Sequence, residues 1–173
     1  MKIASVTSSE RGGTDQVLCD VAARLQSRGV SLAGVLKDTG YVSGFSNGCD
    51  MRVRVLPDGP VIKITQDLGS GSDACRLDPG AIAQAVASVE AGDLNSAELF
   101  ILNKFGPEEA AGRGFCDAIG AALERGIPVL VGVSGASKAA FDAYADGLAT
   151  ALEPRTDAIL TWFDVPEGSD QNH

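Results

Sequence analysis

Eight residues near the start of the chain, Thr7-Ser8-Ser9-Glu10-Arg11-Gly12-Gly13-Thr14, have the make-up of a loop that holds phosphate. They follow a short apolar run, residues 1–6 (MKIASV), and precede residues 15–28, whose apolar positions recur at helical spacing. Strand, small-residue loop and helix in that order bring backbone N–H groups and the positive end of a helix dipole to one point, where an anion can sit. The motif built for this purpose, GxxxxGK[ST], adds a lysine that reaches the β- and γ-phosphates and a hydroxyl that holds Mg²⁺. With Gly13 as the second glycine, Ser8 stands at the first, Thr14 at the lysine and Asp15 at the hydroxyl. With Gly12 as the second glycine, those places fall to Thr7, Gly13 and Thr14. Neither register supplies a lysine. Arg11 offers a cation from a different place, and Asp15 would repel a triphosphate unless a cation intervened. The same residues also suit a plain strand-to-helix turn, so an anion cradle and an ordinary turn both stand as readings.

A second requirement of nucleotide hydrolysis is a strand ending in Asp or Asp-Glu, which positions Mg²⁺ and the attacking water. The matching strand here, Phe100-Ile101-Leu102, ends instead in Asn103-Lys104, an amide and a cation. Two independent catalytic requirements are thus missing together, which points away from hydrolysis. Lys104 is either a solvated lysine at a strand end or the source of the positive charge that the first loop lacks. Beyond it, residues 103–114 (NKFGPEEAAGRG) are rich in small and polar side chains. Glu108 and Glu109 suit an exposed helix start, where acidic residues complement the dipole. Arg113, between two glycines, is a candidate oxyanion ligand.

Four cysteines, Cys19, Cys49, Cys75 and Cys116, lie far apart with no CxxC pair. Cys49 and Cys75 flank a hairpin that could bring them together, and Arg76 would favour thiolate at Cys75. They are either idle thiols or soft ligands for a metal or oxyanion. With His173 the one histidine, a zinc site would need Cys and carboxylate ligands. Cys19 and Cys116 fall in helical stretches and read as packing residues.

The elements that must position these groups alternate along the chain. Residues 3–6, 30–36, 99–102 and 128–133 are continuous apolar runs, the mark of strands buried on both faces. Between them lie helical stripes: Val17, Leu18, Val21, Ala22 and Leu25, closed by Gly29; Ile82, Ala85, Val86 and Val89, opened by Asp78 as N-cap and Pro79 at N1; and Phe115, Ile119, Ala122 and Leu123, closed by Gly126. Residues 50–56 (DMRVRVL) alternate apolar and charged, Pro57-Asp58-Gly59 turns, and residues 61–65 return, which predicts an antiparallel hairpin at a sheet edge. A helix after Ser137 as cap, a short strand near Leu152 and a final helix over residues 156–163 complete the set. Buried strands alternating with helices define an α/β fold, a mostly parallel sheet covered on both faces. In such sheets ligands bind beyond the carboxyl ends of the strands, here residues 7–14, 37–48, 103–114 and 134–137. The reading is one domain over residues 1–165 and a flexible tail from residue 166.

The chain has 173 residues, enough for one full core, and 45% of them are hydrophobic. No apolar run approaches the roughly 20 residues of a membrane span. Met1 leads straight into the first strand, leaving no room for a signal peptide, so the expected location is the cytoplasm with reduced thiols. A net charge of −9 argues against general nucleic-acid binding, which needs a basic face, but not against a small anion in a locally positive pocket.

At these residues a family comes into view. KFGPEEAAGRGF and GIPVLVGV, with CDMRVRVLPDGPVIKITQDLG and CRLDPGA upstream, resemble the bacterial family called domain of unknown function 2478, often described as nucleoside-triphosphatase-like. The resemblance runs from Met1 to about Phe163. It implies a three-layer P-loop-NTPase-like fold with a hairpin inserted after the second strand. Because genes of the family tend to sit beside molybdate-transport or molybdenum-enzyme genes, it also implies a role in molybdenum handling. Three functions remain open. The first is a non-hydrolysing protein that binds a small anion, molybdate or a nucleotide among the candidates, at Ser8, Ser9, Arg11, Gly12, Gly13, Thr14, Asp15, Lys104 and Arg113, with Cys49, Cys75 and Arg76 in reserve. The second is a divergent nucleoside triphosphatase or nucleotide-dependent enzyme. The third is an interaction module with a vestigial site, its edge hairpin serving as a pairing surface, for instance in a homo-oligomer.

Overall fold

The structure is a computed structural model that describes residues 1–38, 51–65 and 78–166. Its first strand, β1 (Ile3–Val6), is buried at every position, as a strand covered by helices on two sides must be. Helix α1 (Gly13–Ser27) turns Val17, Leu18, Val21, Ala22 and Leu25 inward, and β2 (Leu32–Lys37) follows. Strands β3 (Arg52–Val55) and β4 (Val61–Lys63) form the antiparallel hairpin, with Val53, Val55 and Ile62 facing the core and Arg54, Val61 and Lys63 facing out.

Helix α2 (Pro79–Ala91) starts where the sequence places it. The Asp78 carboxylate accepts from the N–H groups of Gly80 (3.0 Å) and Ala81 (3.3 Å), satisfying two donors that the first turn leaves open. Then come β5 (Leu99–Leu102), a short helix α3 (Pro107–Ala110), α4 (Cys116–Glu124) and β6 (Val129–Gly132). Helix α5 (Lys138–Tyr144), edge strand β7 (Thr150–Leu152) and helix α6 (Thr156–Asp164) complete the chain. Ser137 precedes α5, but not as a side-chain cap. A 3₁₀ turn at Gly135–Ser137 runs directly into the helix, and the Ser137 hydroxyl meets that of Ser134 at 3.3 Å.

The seven strands form one sheet in the order β4-β3-β2-β5-β6-β1-β7, with β3 alone running against the others. Helices α1 and α6 pack on one face with Leu18, Leu25 and Ile159 at its centre. Helices α2, α4 and α5 cover the other, where Ala85, Ile119 and Phe141 meet Phe100 and Phe105. The result is a three-layer α/β fold with the hairpin after the second strand. Three parallel neighbours, β5, β6 and β1, deliver their carboxyl ends to one place on the sheet rim. Among the described residues no helix is long and apolar enough to cross a membrane. Residues 167–173 of the expected tail lie outside the described residues.

Loss of the Asp78 cap tests this reading of α2. Asp78→Ala is expected to cost ~1 kcal/mol and to lower Tm by roughly 2–4 °C, measured by thermal unfolding. An unchanged Tm would mean that the two N–H groups find other partners.

Candidate functional site

The rim cleft takes its floor from residues whose neighbours are buried strands. It holds a volume of about 280 Å³ between the first loop (Ser8, Glu10, Gly12, Thr14, Asp15), the end of β5 (Asn103, Lys104) and the end of β6 (Gly132, Val133, Ser134, Gly135). Three of the four strand ends singled out from the sequence therefore converge.

The first loop is held by its own side chains. The Ser8 N–H donates to Thr14 Oγ1 (3.0 Å), the Glu10 N–H to Ser8 Oγ (3.1 Å), and the Gly13 N–H to the Glu10 carbonyl (3.0 Å). Gly12, at φ +74°, takes the N-cap position, so α1 begins one residue later. Gly13 has no room for a side chain, because a Cβ there would run into Ser8 Oγ. The loop is thus a closed, short-range structure that aims the first turn of α1 at the cleft.

Across the cleft, Asn103 is buried, with 5% of its surface exposed, and both ends of its amide are engaged, one N–H of the NH₂ remaining. Its Oδ1 accepts from the Lys37 N–H (2.9 Å), and its Nδ2 donates to Asp15 Oδ1 (2.8 Å). The other Asp15 oxygen pairs with the Lys37 ammonium at 3.5 Å. One amide, one carboxylate and one ammonium from β5, α1 and β2 therefore form a closed network. This answers the repulsion expected of Asp15: its charge is matched locally. Lys104 is exposed at the cleft wall and, among the described residues, has no ion-pair partner.

Other candidates fall elsewhere. Ser9 and Arg11 are exposed and do not line the cleft. Arg113 is not brought to the cleft. Its Nε pairs with Glu108 at 3.0 Å, and it borders a separate groove with Pro79, Ile82 and Val86. Neighbouring opposite charges i, i+5 apart on a helix–turn find one another before they find a distant anion. Cys49, Cys75 and Arg76 lie outside the described residues. Lys37 was absent from the sequence-derived site, and the one signal for it was its place at a strand's carboxyl end.

Glu109 corrects the expectation of an exposed helix start. It is buried, and its carboxylate ties the loop after β5 together. Oε1 accepts from the Gly106 N–H (2.9 Å) and Oε2 from the Phe115 N–H (3.2 Å). Gly114, at φ +60°, lets the chain pass so close that any Cβ there would strike Oε2. Burial pushes the Glu109 carboxyl above the usual range, against the two N–H groups that pull it down. The Cys116 thiol beside it is raised to about 11 by burial and by the Glu109 charge, which suits a packing residue and not a nucleophile.

The fold is that of the P-loop nucleoside triphosphatases. A human cancer-related nucleoside triphosphatase superposes with a TM-score of 0.64 at 16% identity, covering 95% of this chain and 98% of that one. THEP1 from the hyperthermophile Aquifex aeolicus gives 0.66 at 11% identity, covering 94% and 99%. The chain belongs to the family described as protein of unknown function DUF2478, which it matches over residues 3–162. A curated relative, the molybdenum import ATP-binding protein ModC 2 of Bradyrhizobium diazoefficiens, is 31% identical over 168 residues. That match takes in 94% of this chain and spans 18% of the relative's length.

Substitutions at Gly13 and Glu109 probe the site's frame. Gly13→Ala should destabilise by about 1–3 kcal/mol through the clash with Ser8, and Ser8→Gly in the same chain should recover part of that loss, as a double-mutant cycle in urea would read. For Glu109, a raised folded-state pKa means that its contribution is fully present below the ordinary carboxylate range and is lost as pH rises through the folded value. Glu109→Gln should therefore cost more stability in acid than at neutral pH. Equal costs at both would overturn the burial argument.

Proposed function

We propose that the chain is a non-hydrolysing P-loop-like protein that holds a small oxyanion, or the phosphate end of a nucleotide, in the rim cleft. The observation that carries this reading is the replacement of the acidic strand end by Asn103, whose NH₂ and the nearby Lys104 present donors and positive charge where hydrolysis needs carboxylate. The first turn of α1 adds N–H groups and the helix dipole. A volume of about 280 Å³ lies at the small end of ligand sites, which run to ~300–1,000 Å³. It fits a tetrahedral dianion or a phosphate group better than a whole nucleotide. The ModC 2 relative, named for molybdenum import and ATP binding, makes molybdate and adenine nucleotides the first ligands to try. A role in molybdate or molybdenum-cofactor homeostasis follows if molybdate is preferred.

The test is a thermal titration with molybdate, tungstate, sulfate, ATP and GTP, run beside a phosphate-release assay. A ligand at a hundred times its Kd should add ~2.7 kcal/mol of stability, a rise in Tm of roughly 5–10 °C, with no phosphate released above background. Mg²⁺-dependent phosphate release would replace this reading with that of a divergent triphosphatase. Silence toward every ligand would leave an interaction module with a vestigial site.

A further inference from the structure

A phosphate loop ordinarily works with Mg²⁺, held by the loop hydroxyl and an acidic strand end. The donor set at Asn103, Asp15 and Thr14, where that cation would sit, does not suit it, although Glu10 also lines the cleft. The Asn103 amide cannot be reversed, because Oδ1 faces a backbone N–H, that of Lys37, which can only donate. Its NH₂ must therefore face Asp15, and N–H donors repel a metal ion. Both oxygens of Asp15 are engaged, one by Asn103 and one by the Lys37 ammonium. Thr14 Oγ1 accepts from the Ser8 N–H, which leaves its own proton to be donated. Among the described residues no group of three or more His, Cys, Asp or Glu side chains could hold a metal.

The charges lead to the same place. Among the described residues, Glu10 and Asp15 line the cleft with one ammonium, that of Lys104, so these walls taken alone carry a net negative charge. Lys37, 3.5 Å behind Asp15, makes up the difference from a fixed position on β2. We propose that Lys37 stands in for the divalent cation, so that the cleft binds an oxyanion or terminal phosphate without Mg²⁺. The inference rests on the anion-binding reading above and adds to it how the repulsion between Asp15 and the ligand is cancelled. An ammonium built into the chain differs from a recruited metal in one observable way: it is present whether or not the solution supplies the ion.

Calorimetric titration with molybdate and with ADP, each in EDTA and in millimolar MgCl₂, tests this directly. The wild-type affinity should agree between the two buffers within about twofold. Lys37→Ala keeps the backbone N–H that orients Asn103 but leaves the Asp15 charge unmatched beside the ligand, so it should weaken binding by about tenfold. Added Mg²⁺ should restore part of that loss in the variant alone. Wild-type binding that appears only with Mg²⁺, or a Lys37→Ala chain that binds as tightly as wild type, would overturn the inference and leave anion binding standing. An absence of binding in both buffers would overturn both. Should Lys37→Ala and Lys37→Gln both melt below the assay temperature, the wild-type comparison decides by itself.

Discussion

A buried asparagine at the end of a central strand must satisfy both ends of its amide, and the way Asn103 does so sets the character of the cleft. Its oxygen is taken by the main chain of the neighbouring strand β2, its nitrogen by the first turn of α1. An unpaired amide at that depth would cost about 1–3 kcal/mol, so the two contacts fix the side chain rather than merely decorate it. With Asn103 fixed, Asp15 is drawn across to it, and Lys37 follows to match the charge. Three elements, α1, β2 and β5, are thereby locked at one point of the rim.

That lock also shows how a familiar fold can carry a different set of rim side chains. The sheet, with β5, β6 and β1 side by side, is what brings a loop, an amide and a lysine to one cleft. Nothing in the sheet dictates which side chains stand at its rim. Rim residues can therefore change sign, from carboxylate to amide and cation, while the apolar strands that build the floor stay as they are. The same separation holds on the far side of β5. There Glu109, which by its type might have served the cleft, instead pins the loop through Gly106 and Phe115, with Gly114 as the space that permits it.

The architecture was legible because it rests on periodicity. Leu99-Phe100-Ile101-Leu102 and Ile3-Ala4-Ser5-Val6 are apolar without alternation, and both are strands over those same residues. The alternation of Arg52 to Val55 placed the hairpin at an edge, and β4 is the outermost strand. Asp78 and Pro79 marked the start of α2 by local hydrogen bonding alone. Ser137 misled because a serine before a helix has two local choices, and here a 3₁₀ turn wins over a side-chain cap. The surroundings of Glu109 and Arg113 were not legible, because burial and pairing depend on what folds over them.

The sequence by itself determined the order of strands and helices, the lysine-free loop before α1, and the Asn103-Lys104 end of β5, since each is written in residues close together in the chain. Only the tertiary structure decided that Asp15, Lys37 and Asn103 are one network, for the contacts join residues 66 and 88 positions apart. Hydrophobic periodicity fixes which face of an element is buried, but not which strands become neighbours. The sheet order brings β2 and β5 together and aims α1 at their ends, and that adjacency made the charge of Lys37 part of the site.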